Sequence, residues 1–163
     1  MVSPQFVVTA VLVAAVAGGS SSLFGQAIPE PPPPATEVAV RSSLAEMRAA
    51  AERMDAEALY AFVLDTRVPP VIENGEVAST RQLALERTSL GFVGLASLSY
   101  SYDHESIVML GATTALWIGD GTARAKLEDG RELSLPFAET VVLVEDEGLW
   151  KVLHAHRSVP NPQ

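Results

Sequence analysis

The chain contains no cysteine among its 163 residues. Disulfide bonds, thiolate nucleophiles, cysteine-ligated zinc and a lipidated N-terminal cysteine are therefore all excluded. Basic residues are scarce too, with 11 Lys and Arg against 20 Asp and Glu, which gives a formal net charge of −9. A surface this acidic repels phosphate backbones, so nucleic acid is not an expected partner. Hydrophobic residues make up 48% of the chain, enough for one domain with a substantial core.

The first 29 residues carry no charged side chain. Their apolar run from Phe6 to Ala17 is about half of the roughly 20 residues that a membrane-spanning helix needs. Small residues follow, and Gly25-Gln26-Ala27 suits cleavage by a signal peptidase. We predict a signal peptide over residues 1–27 and a secreted or periplasmic location. An uncleaved N-terminal anchor is the alternative, and a membrane is an expected partner only in that case.

Five prolines between Ile28 and Ala35 predict a stiff, extended linker over residues 28–35. Helical periodicity begins after it and predicts a first helix with Thr36 as its N-cap. Asp55 is expected to cap a second helix that runs through Val63. Ser79 is expected to open a third helix, because Gln82 follows it at capping-box spacing. The apolar face of the first helix comprises Val40, Leu44, Met47, Ala51 and Met54.

Asn74-Gly75 predicts a short hairpin before the third helix. The chain then changes to strand texture, with Gly119-Asp120-Gly121 as a predicted turn and Pro136 marking a bulge or an edge. In a regular final strand, Trp150, Val152, His154 and His156 would share one face, and Arg157 would lie on the other. Helices followed by antiparallel strands indicate an α+β fold. The predicted strands cover residues 96–103, 106–117, 122–127, 131–144 and 150–158.

Three C-terminal segments then stand out: Glu139-Thr140, Glu147-Gly148-Leu149-Trp150 and His154-Ala155-His156-Arg157-Ser158. Together with the helical half, they resemble the nuclear transport factor 2-like (SnoaL-like) superfamily. The local similarity is greatest to the association domain of calcium/calmodulin-dependent protein kinase II and its small bacterial relatives. The resemblance implies one domain over residues 36–160, followed by a tail over 161–163. Its expected fold is a cone-shaped, curved antiparallel sheet wrapped around three N-terminal helices.

The same resemblance implies a pocket at the wide end of the cone and a homodimer formed through the outer face of the sheet. In the association domains, arginines and a glutamate line the pocket and bind small anionic molecules. Arg157 and Glu139 match such residues, and Arg124 is a third candidate. Arg157 and Glu139 are expected to form either a polar clamp for a ligand carboxylate or a structural ion pair. Independently of the family, Tyr100 and Tyr102 alternate on one strand face and are candidates either for hydroxyl donors in the pocket or for packing residues.

Other residues are weighed for metal binding and catalysis. His154 and His156 could ligate a metal with His104 or Glu139 as a third ligand. No carboxylate cluster with ligand spacing supports such a site, so we expect outer-face packing and neither a metal nor a cofactor. Asp65 or His104 could act as a general base, with Tyr100 or Tyr102 as the oxyanion donor.

Three functional hypotheses follow. The first is an exported small-molecule-binding or assembly domain with a polar pocket and no catalytic motif. The second is a small isomerase, cyclase or dehydratase of the SnoaL-like kind, with a pocket Asp or His as general base. The third is a module that binds a protein partner through the outer face of its sheet.

Overall fold

The computed structural model describes residues 30–159. This part of the chain forms three helices and six strands. The helices are α1 (Pro34–Glu52), α2 (Ala56–Tyr60) and α3 (Arg81–Phe92). The strands are β1 (Val71–Glu73), β2 (Glu76–Ala78), β3 (Leu95–Gly111), β4 (Thr114–Leu127), β5 (Glu132–Asp146) and β6 (Leu149–Ser158). The predicted signal peptide over 1–27 and the tail over 161–163 lie outside the described residues. No helix between residues 30 and 159 is long and apolar enough to cross a membrane.

The strands form one curved, open sheet in the order β2-β1-β6-β5-β4-β3. All neighbours are antiparallel except β1 and β6, which run parallel. The three helices pack on the concave face, where the core includes Val40, Met47, Trp117, Leu143 and Trp150. The predicted fold class, a curved sheet with three N-terminal helices, is confirmed.

The helix starts follow local capping chemistry. The Asp55 carboxylate accepts a hydrogen bond from the Ala58 backbone N–H at 3.0 Å, which confirms the predicted cap, but α2 ends at Tyr60 rather than continuing through Val63. Helix α3 is capped by Thr80, not Ser79, because the Thr80 hydroxyl accepts from the Leu83 N–H at 3.1 Å.

Helix α1 begins at Pro34, earlier than the predicted cap at Thr36. Proline suits the first turn because its missing N–H would have no partner there. The hairpin between β1 and β2 is confirmed, with Asn74 and Gly75 both at positive φ, 52° and 81°. These angles are typical of the two central residues of a type I′ turn.

Gly119 and Gly121 lie inside β4, so the predicted turn at this position is wrong; the reversal comes earlier, between β3 and β4 at residues 112–113. A Cβ on Gly121 would collide with the backbone carbonyl oxygen of Ser101, and a Cβ on Gly119 would lie 2.5 Å from the Trp117 ring. The pairing register of β3 and β4 shifts at the same place, between Tyr102 and His104. Glycine therefore permits close strand approach here, at an irregularity of the sheet.

Pro136 lies on β5 opposite Thr122 of β4. On the other side, β6 pairs with β5 only from Ala138 onward. Within the described residues, Pro136 thus faces an edge without a strand partner, where its missing N–H costs no ladder hydrogen bond. The prediction that this proline marks a bulge or an edge is confirmed.

Candidate functional site

A cavity of about 680 Å³ lies between the helices and the concave face of the sheet. Its size falls within the range of small-molecule sites in proteins. Most of its lining is apolar, and its charged side chains come from α1, the β1–β2 hairpin, α3, β5 and β6. The polar and aromatic lining residues that matter below are Arg48, Glu73, Tyr100, Tyr102, Phe137, Glu139 and Arg157.

A bulge in β6 decides which residues of that strand face the cavity. Val152 pairs with Leu143 and His154 pairs with Val142, so Leu153 is an extra residue without an opposite partner. A single extra residue reverses the alternation of side chains beyond it. Arg157 therefore lies on the same concave face as Val152, and His154 and His156 lie on the outer face. The prediction that Trp150 and Val152 share a face with the two histidines is wrong for this reason.

Arg157 and Glu139 are register partners on β6 and β5. The Arg157 guanidinium donates to a carboxylate oxygen of Glu139 at 3.1 Å, and the two side chains are only 26% and 13% exposed. The guanidinium carbon lies 5.4 Å from the ring centre of Tyr100 and 5.2 Å from that of Phe137. Burial opposes the charge of Arg157, but Glu139 and Tyr100 outweigh it and hold the Arg157 pKa above its usual range. The cavity thus carries a fixed cation.

A second glutamate flanks this cation. Glu73 on β1 is the register partner of Arg157 on the side away from β5, and it lines the cavity near its exposed edge. One arginine therefore lies between two acidic positions on the neighbouring strands. Arg157, Glu139 and Glu73 together have a formal charge of −1, so an anion bound at Arg157 would also lie close to two carboxylates.

Tyr102 forms the aromatic part of the same wall. Its ring meets those of Trp117 and Phe137 edge to face, each at 5.4 Å between ring centres. The Arg48 guanidinium of α1 lies 4.1 Å above the Tyr102 ring, a cation–π contact. Burial, reinforced by Glu139, raises the Tyr102 pKa. The hydroxyl therefore stays protonated and is available as a donor.

Arg48 is a cavity residue that the sequence reasoning missed. One guanidinium nitrogen lies 3.7 Å from Glu105, and Glu105 also accepts from the Trp117 indole N–H at 3.2 Å. The signal was present, since Arg48 follows Leu44 by four residues and precedes Ala51 by three, within the apolar face of α1. A single cation on such a face indicates a partner inside the fold.

The structure brings together Arg157, Glu139, Tyr100 and Tyr102, and it places three other candidates elsewhere. Arg124 lies on the outer face, because its neighbours in β4 face the cavity, and it donates to the Ser101 hydroxyl at 3.2 Å. His104 is 83% exposed and lies 3.1 Å from Asp120. Asp65 is exposed in the loop that follows α2.

The outer-face histidines do not assemble a metal site with the other candidates. A ring nitrogen of His154 (Nδ1) lies 2.7 Å from the Pro69 carbonyl oxygen and so carries the donated proton. His156 is exposed on the outer face, whereas Glu139 points into the cavity. Between residues 30 and 159, no group of three or more metal-binding side chains comes together.

The sequence matches the family model of the SnoaL-like domain over residues 40–162. The chain belongs to this family. The expected resemblance to the nuclear transport factor 2-like superfamily is thereby confirmed. A comparison of this SnoaL-like domain with curated proteins gives no match.

Solved structures share the fold of this SnoaL-like domain at low sequence identity. A proposed dehydratase of the nuclear transport factor 2-like family from Streptomyces avermitilis is 19% identical, with a TM-score of 0.69 over 79% of this chain and 100% of that one. A proposed scytalone dehydratase from Novosphingobium aromaticivorans is 14% identical, with a TM-score of 0.70 over 78% and 85%. A proposed calcium/calmodulin-dependent protein kinase II association domain from Xanthomonas campestris is 15% identical, with a TM-score of 0.64 over 81% and 91%. Such identities establish a common fold and no activity.

Proposed function

We propose that this protein is an exported SnoaL-like domain that binds a small, mainly apolar molecule in its cavity and holds one polar group of that molecule at Arg157 and Glu139. The observation that carries the proposal is the Arg157–Glu139 pair, with the fixed cation of Arg157, in a mainly apolar cavity of about 680 Å³. An apolar cavity with a few convergent polar groups is the usual form of a small-molecule site.

The chemistry of the pair indicates the polar group. A guanidinium has five N–H donors, and the described residues show one of those of Arg157 engaged by Glu139. Glu139 can accept further hydrogen bonds. A hydroxyl or a primary amide fits both partners, because it accepts from Arg157 and donates to Glu139. The anion that the family resemblance implies would meet Glu139 and Glu73, so we favour a neutral group over a carboxylate.

Native mass spectrometry of the purified protein tests the proposal. We expect a non-covalent adduct of a few hundred daltons, in keeping with the cavity volume. The Arg157→Met variant should lose the adduct, while Arg124→Met, which changes an arginine on the outer face, should keep it. An adduct retained by Arg157→Met would show that the pair does not hold the ligand. A protein that carries no adduct and binds no small amide, alcohol or carboxylate would overturn the proposal.

The export part of the proposal rests on the uncharged, apolar segment over residues 1–27. Expression of the full-length chain in a secreting bacterial host tests it. The intact mass of protein recovered outside the cytoplasm should correspond to a chain that begins at Ile28. Recovery of the uncleaved chain in the membrane fraction would favour the N-terminal anchor instead. Uncleaved protein in the cytosol would contradict both.

We also propose a homodimer formed through the outer face of the sheet. Its support is a row of side chains across four strands, in which Val108 pairs with Leu116, Leu116 with Val142, and Val142 with His154. Next to this row, Ile118 is 47% exposed. Contiguous apolar side chains on a sheet face are typical of an interaction surface.

Catalysis is the second candidate function. Asp65 and His104 lie outside the cavity, so neither can be its general base. Glu139, Tyr100 and Tyr102 do line the same cavity, which provides a carboxylate base and hydroxyl donors for an isomerase or a dehydratase. Incubation of the protein with its extracted ligand distinguishes the two functions. Loss of 18 Da, or a spectral change at constant mass, that Glu139→Gln abolishes would establish catalysis, while an unchanged ligand would leave the binding function alone.

A further inference from the structure

The apolar part of the cavity is long rather than round. On β5, the residues that face the cavity are Leu133, Leu135, Phe137, Glu139 and Val141. A strand rises by about 3.4 Å per residue, so the distance from Leu133 to Glu139 along β5 is roughly 20 Å. The cavity therefore extends for at least this length beside one strand, with the Arg157–Glu139 pair towards one end.

The elongated apolar part of the cavity forms a trough between β3 and β5, and two alanines of β4 form its floor. Ala125 of β4 lies opposite Leu133, and Ala123 lies opposite Leu135. On the other side of β4, Leu98 of β3 is the partner of Ala125. Methyl groups thus occupy the central strand, and larger side chains stand on both neighbouring strands. Adjacent strands are about 4.8 Å apart, so the trough between β3 and β5 is roughly 10 Å wide before its side walls are counted.

The trough is open at its apolar end. Leu133 and Leu135 face the cavity and are nevertheless 42% and 41% exposed. Phe92, near the end of α3, also lines the cavity on the side opposite the sheet. Exposed apolar side chains that continue a cavity wall mark a surface that a ligand covers.

We propose that the ligand of this cavity is a single-chain amphiphile, an unbranched alkyl chain with one neutral polar head. The head contacts Arg157 and Glu139, and the chain runs over Ala123 and Ala125 towards Leu133. The inference rests on the proposed function and adds the shape of the ligand to it. A floor of methyl groups roughly 20 Å long lets an extended chain cover apolar surface along its whole length, whereas a compact ring system would leave part of that surface uncovered.

The two alanines set the chain length that the cavity accepts. Leucine in place of Ala125 would fill the trough near its mouth and leave the polar end unchanged. A long chain would then collide with the new side chain, because well-packed apolar sites tolerate added volume poorly. A short chain would not reach it. Chain-length preference is therefore a readout of this residue that is independent of the Arg157–Glu139 pair.

Titration of the whole protein with primary alkyl amides of 4 to 16 carbons tests the inference, with the fluorescence of Trp117 in the cavity as the signal. We expect affinity to rise about threefold to fourfold per methylene and to level off at roughly 14 carbons, a chain that matches the trough of roughly 20 Å. Ala125→Leu should lower the affinity for the long members at least tenfold and leave the members of up to six carbons unchanged. Ala125→Val serves as a milder variant if the leucine variant does not fold.

Lys126→Leu is the matched control, because it adds the same side chain to the next residue of β4, which is exposed and lies outside the cavity. It should bind the whole series as the unaltered protein does. Affinity that is independent of chain length, or compact ring amides that bind more tightly than linear ones, would overturn the inference and leave the proposed function intact. Binding of no amide at all would overturn the inference, and the adduct measurement then decides the proposed function separately.

Discussion

Arg157 shows how one side chain links binding and stability. Truncation to alanine leaves the Glu139 carboxylate, which is 13% exposed, without its partner. We expect Arg157→Ala to lower the free energy of unfolding by about 2 kcal/mol, below the value for a fully buried pair because Arg157 itself is partly solvated. Urea unfolding followed by circular dichroism measures the change. Arg124→Ala on the outer face should stay within about 0.5 kcal/mol of the unaltered protein.

The double variant Arg157→Met, Glu139→Gln separates the two charges from the packing. If most of the loss comes from an uncompensated carboxylate, this variant is more stable than Arg157→Ala, because it removes both charges and keeps most of the volume. A double variant that is as unstable as Arg157→Ala would indicate instead that the contacts of the guanidinium with Tyr100 and Phe137 dominate.

Tyr102 makes stability depend on pH in the alkaline range. Burial raises its pKa from the ordinary value of 10.0, so above pH 10 the unfolded chain releases this proton before the native protein does. The unfolded state then binds fewer protons, and stability falls as pH rises. The contribution is fully present below about pH 10. Urea unfolding between pH 8 and pH 11 should show this fall, and Tyr102→Phe should make it shallower. An unchanged slope in the variant would exclude Tyr102 as its source.

Part of the site was predictable because charged side chains inside a fold need partners, which restricts where they occur. Arg157 and Glu139 belong to a C-terminal segment whose family resemblance is visible in the sequence. Arg48 was missed because its cation is accommodated by Tyr102 and Glu105, which lie more than 50 positions away in the chain. No local pattern encodes such partners.

At the scale of the elements, Gly121 is the residue on which the pairing of β3 and β4 depends most. A side chain there meets the Ser101 carbonyl oxygen, which is backbone and cannot rotate away. We expect Gly121→Ala to lower the free energy of unfolding by about 3 kcal/mol through this overpacking. The matched control is Gly111→Ala, because nothing lies within 4 Å of an added Cβ at that position. Thermal unfolding of the two variants gives the comparison, and equal melting temperatures would contradict the expected collision.

The elements also show what sequence patterns can and cannot provide. Helix periodicity and the cap at Asp55 are local, so the helices were predicted within a few residues. Gly119 and Gly121 predict a turn, wrongly, because close strand approach and chain reversal both select glycine. Hydrogen bonds to distant segments flank the bulge at Leu153. The Val152 N–H donates to the Phe62 carbonyl oxygen, and the Ala155 N–H donates to the Pro70 carbonyl oxygen. Alternation alone therefore gave the wrong faces for half of the strand.

At the scale of the whole molecule, the apolar side chains on the outer face of the sheet favour the proposed homodimer. If the face pairs two copies, Ile118→Asp should convert the dimer to a monomer, because a charge in the centre of an apolar interface has no partner. Sedimentation equilibrium measures the mass. Leu90→Asp, which places the same charge at an exposed apolar position of α3, should remain dimeric. A monomeric unaltered protein would contradict the proposed dimer directly.

The outermost strand has a consequence for how the protein is handled in the laboratory. On the edge strand β3, the Tyr100 N–H donates a hydrogen bond to the Glu52 carboxylate, and the Met109 N–H donates one to the Glu30 carbonyl oxygen. Unoccupied strand edges recruit further strands, including those of identical molecules. A preparation trimmed to begin at Pro34 keeps α1 but uncovers the edge at Met109. We therefore expect a preparation that begins at Pro34 to self-associate during storage more than one that keeps Glu30.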